Sequence, residues 1–265
     1  MIASAPIDHP LNLLTQTILT AGSYAVWVGM MVLAIRMGIR QRTPFFVLIL
    51  LAAAFGGIFE PLYDEGLALW FYAPGQWTAY TSFGIPQPAW VYSGYVTLYG
   101  ATALFICDRI GKGEMTRGLL YKWAGVEFVC SCAFEMIGIN GGAYEYWGPH
   151  VFRVFEYPLV IGVLETAQVI CFSLAAAELR RRSQGWMSLL GLFVLFPCTF
   201  YFANFGAGAP TIVALHLDQP SALLVSVATM ISIVFSLLLI RACASLLPVG
   251  ATNTAAFVGN KQFAA

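Results

Sequence analysis

Seven mostly apolar stretches, roughly 12–37, 44–70, 90–108, 118–140, 157–179, 186–205 and 219–246, run almost end to end through this chain. A helix needs about 20 such residues to cross a hydrocarbon core about 30 Å thick. In lipid the backbone must also satisfy its own hydrogen bonds, which leaves helices or closed barrels. The pattern predicts an all-α, polytopic membrane protein with seven transmembrane helices in one domain over residues 1–247, then a flexible tail over 248–265. Composition agrees: 59% of residues are hydrophobic and 10% charged, against about 25% charged in a soluble domain. The first stretch lacks a basic lead-in and a small-residue cleavage site, so it is expected to remain as a span.

Lys and Arg accumulate in cytoplasmic loops. Arg36, Arg40, Arg42, Arg109, Lys112, Arg117, Lys122, Arg180, Arg181, Arg182, Arg241 and Lys261 all fall on one side of seven alternating crossings, and Arg153 alone on the other. The N-terminus is therefore expected outside and the C-terminus in the cytoplasm. Such a chain suits a bacterial inner (plasma) membrane. Topology accounts for the basic loops, so nucleic acid is not expected as a partner.

Inside these stretches lie Glu60, Glu127, Glu135 and Glu165. A carboxylate at the centre of a bilayer costs roughly 2.5–3.5 kcal/mol on insertion scales, which makes it a functional marker. At about 1.5 Å of rise per residue, Glu60, Asp64, Glu135, Glu165 and Asn204 share one layer in the outer half. Glu127 lies nearer the middle, and Glu65 reads as the wet end of the second helix. Each acid also has a bland reading: Asp64 as a helix end, Glu127 as helix glue beside Lys122. Neighbouring carboxyls in a low dielectric cannot all ionise, and a neutral acid beside a carboxylate is equipped to give one proton and take another. Clustered acids also suit Mg²⁺ or Ca²⁺. Mg²⁺ would call for a diphosphate-bearing substrate, and no repeated Asp-rich pair is present to hold one, so no metal site is expected.

Residues 70–92 and 140–158 are rich in Trp and Tyr. They read as an interfacial belt or as a lid over the acidic layer, with Trp77, Tyr144, Tyr146 and Trp147 as candidate substrate contacts able to stabilise a cation. Other chemistries find no residues. His9, His150 and His216 lie in the tail or loops, so no helix carries paired haem ligands, and no lysine lies deep in the seventh stretch for a retinal Schiff base. The six cysteines form no C-x-x-C pair and read as packing residues.

From Glu135 the string E-x-x-G-x-x-G-G-x-Y-x-Y, followed by F-E-Y-P-L-V-I and Glu165, resembles the integral-membrane carotenoid hydratases, which carry a comparable Glu, Gly, Tyr-x-Tyr and Pro-Leu order. It also resembles the membrane lycopene cyclases, although the Pro-x-Glu-Glu string of that family is absent after Pro158. Glu165 stands where the hydratases carry an aromatic residue. The resemblance covers about 35 of 265 residues. It implies isoprenoid alkene chemistry started by protonation without a cofactor, and it nominates Glu135, Tyr144, Tyr146 and Glu165.

The residues and the resemblance converge on one expectation. The chain reads as a membrane enzyme (cyclase, isomerase or hydratase) acting on a lipid-soluble, isoprenoid substrate by acid–base catalysis. Glu135 or Glu60 would be the acid, and Glu165 or Asp64 its charged partner. Two alternatives belong to other classes: a transporter or small-ligand receptor using the acids as a proton or cation path, and a non-catalytic assembly subunit.

Overall fold

The computed structural model describes residues 5–249; the expected tail lies, from residue 250 on, outside the described residues. The chain is mostly helical, and each of the seven apolar stretches forms a long helical unit. In order they are Leu13–Gln41, Phe45–Leu67, 91–111, Arg117–Asn140, Leu159–Arg182, Trp186–Ala207 with a short continuation Ala209–Leu215, and Ala222–Ser245. They are called the first to the seventh helix below. Five of them, all but the third and fourth, are long and apolar enough to cross a membrane. The third and fourth are diluted by Asp108, Arg109, Arg117, Lys122, Glu127 and Glu135.

Local sequence explains where these helices start and bend. Asn12, Thr116 and Ser221 cap the first, fourth and seventh, each accepting a backbone N–H from the first turn. The second helix breaks in its middle. Gly56 lies against Phe196, closer than a Cβ would allow, and Gly57 lies close to Tyr92; the chain there tightens into a 3₁₀ turn over Gly57–Phe59. Pro61 then sits in the first turn of the segment Glu60–Leu67, where its missing N–H is tolerated. The third helix widens to a π-helix over Val96–Gly100, and the sixth does so over Phe202–Ala207. Such bulges concentrate at functional sites.

The fifth helix is the hub, packing on the third, fourth, sixth and seventh, and most of its apolar window is buried. The first helix is peripheral, and Val28, Ile39, Leu223 and Leu238 show how the first and seventh leave large apolar side chains on the surface. All the described basic residues except Arg153 gather at or near one end of the helices, the arginine end.

The opposite end carries three short antiparallel strand pairs, which an all-α reading does not foresee. Leu69–Phe71 pairs with Tyr144–Tyr146, joining the two aromatic loops; Thr78–Ser82 pairs with Ile85–Pro88, and Arg153–Val154 with Tyr157–Pro158. Aromatic and β-branched residues favour this geometry. Phe83 and Gly84, both at positive φ, make the two-residue turn that closes the second pair.

Candidate functional site

Three glutamates reach one enclosed cavity from three helices at the strand-bearing end: Glu60 from the second, Glu135 from the fourth and Glu165 from the fifth. The break at Gly56–Gly57 sets the start of the short segment that carries Glu60. Tyr63, Trp90, Tyr95, Tyr99, Tyr144 and Tyr146 complete the polar and aromatic part of the wall. The cavity volume is about 20 Å³, room for one or two waters.

Strand geometry builds the roof. Side chains alternate across a strand, so in the pair Leu69–Phe71 with Tyr144–Tyr146 the residues Leu69, Phe71, Tyr144 and Tyr146 all line the cavity, while Trp70 and Glu145 face away. Gly138 makes room for this arrangement, since a Cβ there would lie 2.3 Å from the Tyr144 ring. Several bonds fix the roof to its frame. The His150 imidazole Nε2 lies 2.8 Å from the Leu67 carbonyl, and Arg153 donates to the carbonyls of Tyr146 at 2.7 Å and Gly148 at 3.2 Å. Burial pushes the His150 imidazole down to about 4. Thr15 and Gln16 of the first helix hold the Gly141 carbonyl and the Trp77 N–H at 2.6 Å each.

The three carboxyls differ in their company. Glu165 accepts from four hydroxyls: Ser131, Tyr99 at 2.8 Å, Tyr157 at 3.4 Å and Tyr63 at 3.5 Å. Glu135 accepts from Tyr146 at 3.2 Å, and Glu60 from Tyr95. The Tyr63 and Tyr146 hydroxyls lie 3.5 Å apart, so these two phenols bridge the space between Glu135 and Glu165. Tyr95 and Tyr99 stack edge to face at 4.9 Å and bring Glu60 alongside. None of the ion pairs among the described residues involves these acids. Nor is any group of three His, Cys, Asp or Glu there arranged to hold a metal ion.

Of the residues singled out in the sequence, Glu60, Glu135, Glu165, Tyr144 and Tyr146 meet at the cavity. Asp64 is buried one turn from Glu60 but turns to Gln87, whose side-chain amide donates to it. Asn204 is buried in the π-helical part of the sixth helix and bonds back to the Phe200 carbonyl. Trp77 is half exposed on the strand-bearing surface, and Trp147 is only partly buried; neither lines the cavity. Sequence reasoning missed Tyr63, Tyr95, Tyr99, Tyr157 and Ser131. The i, i+4 spacing of Tyr95 and Tyr99, and of Ser131 and Glu135, puts each pair on one helix face and was available as a clue.

No protein-family model, curated protein or solved structure matches the chain.

Proposed function

We propose that the protein is an integral membrane enzyme that protonates and deprotonates a lipid-soluble, isoprenoid substrate without a cofactor. In this reading all seven helices cross the bilayer, the N-terminus and the strand-bearing end face outward, and the C-terminus is cytoplasmic. That orientation puts the basic residues other than Arg153 inside and suits a bacterial inner membrane. The observation that carries the reading is the meeting of Glu60, Glu135 and Glu165 around a small cavity, bonded to hydroxyls and, among the described residues, paired with no cation.

Like charges so confined cannot all persist. Glu165, with four hydroxyl donors, is the best-solvated carboxylate and serves as the base. Glu135 and Glu60, with fewer hydroxyl donors than Glu165, are held as neutral acids. Glu135 gives its proton to an alkene carbon; its O–H bond breaks, a C–H bond forms, and a carbocation is left on the neighbouring carbon. The rings of Trp90, Tyr95, Tyr99 and Phe71 stabilise that cation through their faces. Glu165 then removes a proton from an adjacent carbon, giving an isomer or a ring. In a hydratase outcome it takes the proton from a water that adds to the cation. One proton has left Glu135 and one has reached Glu165. The Tyr63–Tyr146 hydroxyl chain returns it by concerted hops, and the cycle closes. The resemblance to the carotenoid hydratases supports the same chemistry.

Deuterium reads this out even while the substrate is unidentified. Purified protein in nanodiscs, incubated in D₂O with a membrane isoprenoid extract, is expected to yield a product carrying deuterium on carbon, identified by mass spectrometry. Glu135→Gln and Glu165→Gln should each lower its formation by about 10²–10⁴-fold, the usual scale for a lost acid or base. Glu60→Gln should lower it less. Unchanged deuterium incorporation in both the Glu135 and Glu165 variants would overturn the assignment, and proton flux in proteoliposomes without any lipid conversion would favour a transporter.

A further inference from the structure

One turn below the cavity, toward the arginine end, lies a second polar layer that the proposed chemistry does not use. Glu127 stands four residues before Ser131 on the fourth helix, and Gln168 three residues after Glu165 on the antiparallel fifth. Since Ser131 donates to Glu165, Glu127 and Gln168 face the same helix–helix seam about 5 Å deeper, one helical turn on. Thr102, just past the π-helical stretch of the third helix, lies beside the Glu127 carboxyl. Glu127 is 1% exposed and Gln168 fully buried. Both polar atoms of the Gln168 amide lack a hydrogen-bond partner, and the Glu127 carboxyl has the Thr102 hydroxyl as a neighbouring donor but makes no well-aligned hydrogen bond. Lys122, the cation expected to pair with Glu127, is exposed and forms none of the ion pairs found among the described residues.

Poorly matched polar atoms at one buried level demand an explanation, because each costs roughly 1–3 kcal/mol when left bare. A buried carboxyl with no counter-charge among the described residues and only the Thr102 hydroxyl beside it favours the neutral form. Ordered water shared among Glu127, Gln168 and Thr102 would satisfy most of them.

We propose that Glu127, Gln168 and Thr102 form an internal proton-holding site, kept hydrated by ordered water, which exchanges protons with Glu165 through the Ser131 hydroxyl. The site shares Glu165 with the proposed enzyme but does not rest on catalysis, and its test needs no substrate. In infrared spectra of the protein in nanodiscs, neutral Glu127 gives a carboxylic C=O stretch that Glu127→Gln removes. That band should move within seconds of transfer to D₂O. Ser131→Ala should slow the move at least tenfold, while Gln168→Leu, which removes an amide but keeps a similar volume, should shift the band itself. A spectrum unchanged by Glu127→Gln would overturn the proposal, as would a band that ignores D₂O for hours. A Ser131→Ala variant exchanging at the wild-type rate would remove the link to Glu165. If Glu127→Gln fails to fold, the Gln168→Leu shift and the Ser131→Ala rate still decide the matter.

Discussion

At the scale of single residues, what separates the glutamates is the number of hydroxyls turned toward each. Four donors gather on Glu165, while Glu60 draws Tyr95 and Glu135 draws Tyr146 on its carboxyl and Tyr144 on its backbone carbonyl. The cost of a carboxyl in lipid made all three legible in the sequence. Tyr144 and Tyr146 were legible too, from their loop, but Tyr63, Tyr95, Tyr99 and Tyr157 were not, because a tyrosine in an apolar run fits a core or an interface equally well, and only the fold decides which way the phenol points. His150 was legible only as a loop residue, yet it clamps the roof to the end of the second helix. Its imidazole is held at about 4 by burial, below the ordinary value near 6.5. An opened loop therefore binds the proton more readily than the closed one, and the closed loop loses stability as pH falls from about 6.5 to about 4, by up to about 3 kcal/mol. Hydrogen exchange over residues 144–158, corrected for its intrinsic pH dependence, is expected to speed up across that window. The acceleration should vanish in His150→Gln, which keeps a donor for the Leu67 carbonyl but does not titrate. Equal pH responses in the two proteins would refute the clamp.

At the scale of elements, the functional geometry comes from departures from regular helix. The Gly56–Gly57 break, the π-helical stretch over Val96–Gly100 and the three strand pairs each set side chains where an ideal rod would not. Apolar length fixes where helices lie, which is why their approximate positions were readable. Strand pairing between loops some 70 residues apart leaves no local period to read, so the roof was legible only as a concentration of aromatic rings. Trp77 and Trp147 belong to that concentration and yet miss the cavity. Trp70 and Glu145 are direct partners in the pairing and face away from it. Opposed residues of an antiparallel pair have Cα atoms about 4.5–5.5 Å apart, within disulfide reach. Trp70→Cys/Glu145→Cys should therefore cross-link under mild oxidation, and under the proposed function the oxidised form should lose lipid turnover until a reductant restores it. Glu145→Cys alone controls for the native thiols. Failure of the pair to cross-link would argue against the roof as described.

At the scale of the whole molecule, charge sits at the ends and apolar surface between them. Arg180 shows how the arginine end is tied together: it lies over the rings of Phe45 and Phe46 and donates to Gln41. The sequence revealed this polarity because topology imposes it along the whole chain. The proposed orientation has a direct check in intact cells. In a variant without the six native cysteines, a cysteine introduced as Asp8→Cys should react with a membrane-impermeant maleimide. One introduced as Gln184→Cys should react only after lysis, and the reverse pattern would invert the protein. The size of the cavity has a further consequence. A space for one or two waters cannot hold an isoprenoid chain, so the proposed function requires a roomier conformer than this one to take the substrate. Measured affinity is then the intrinsic affinity scaled by the fraction of molecules already open. Changes that loosen the first helix or the roof should tighten apparent binding without touching any residue that meets the lipid.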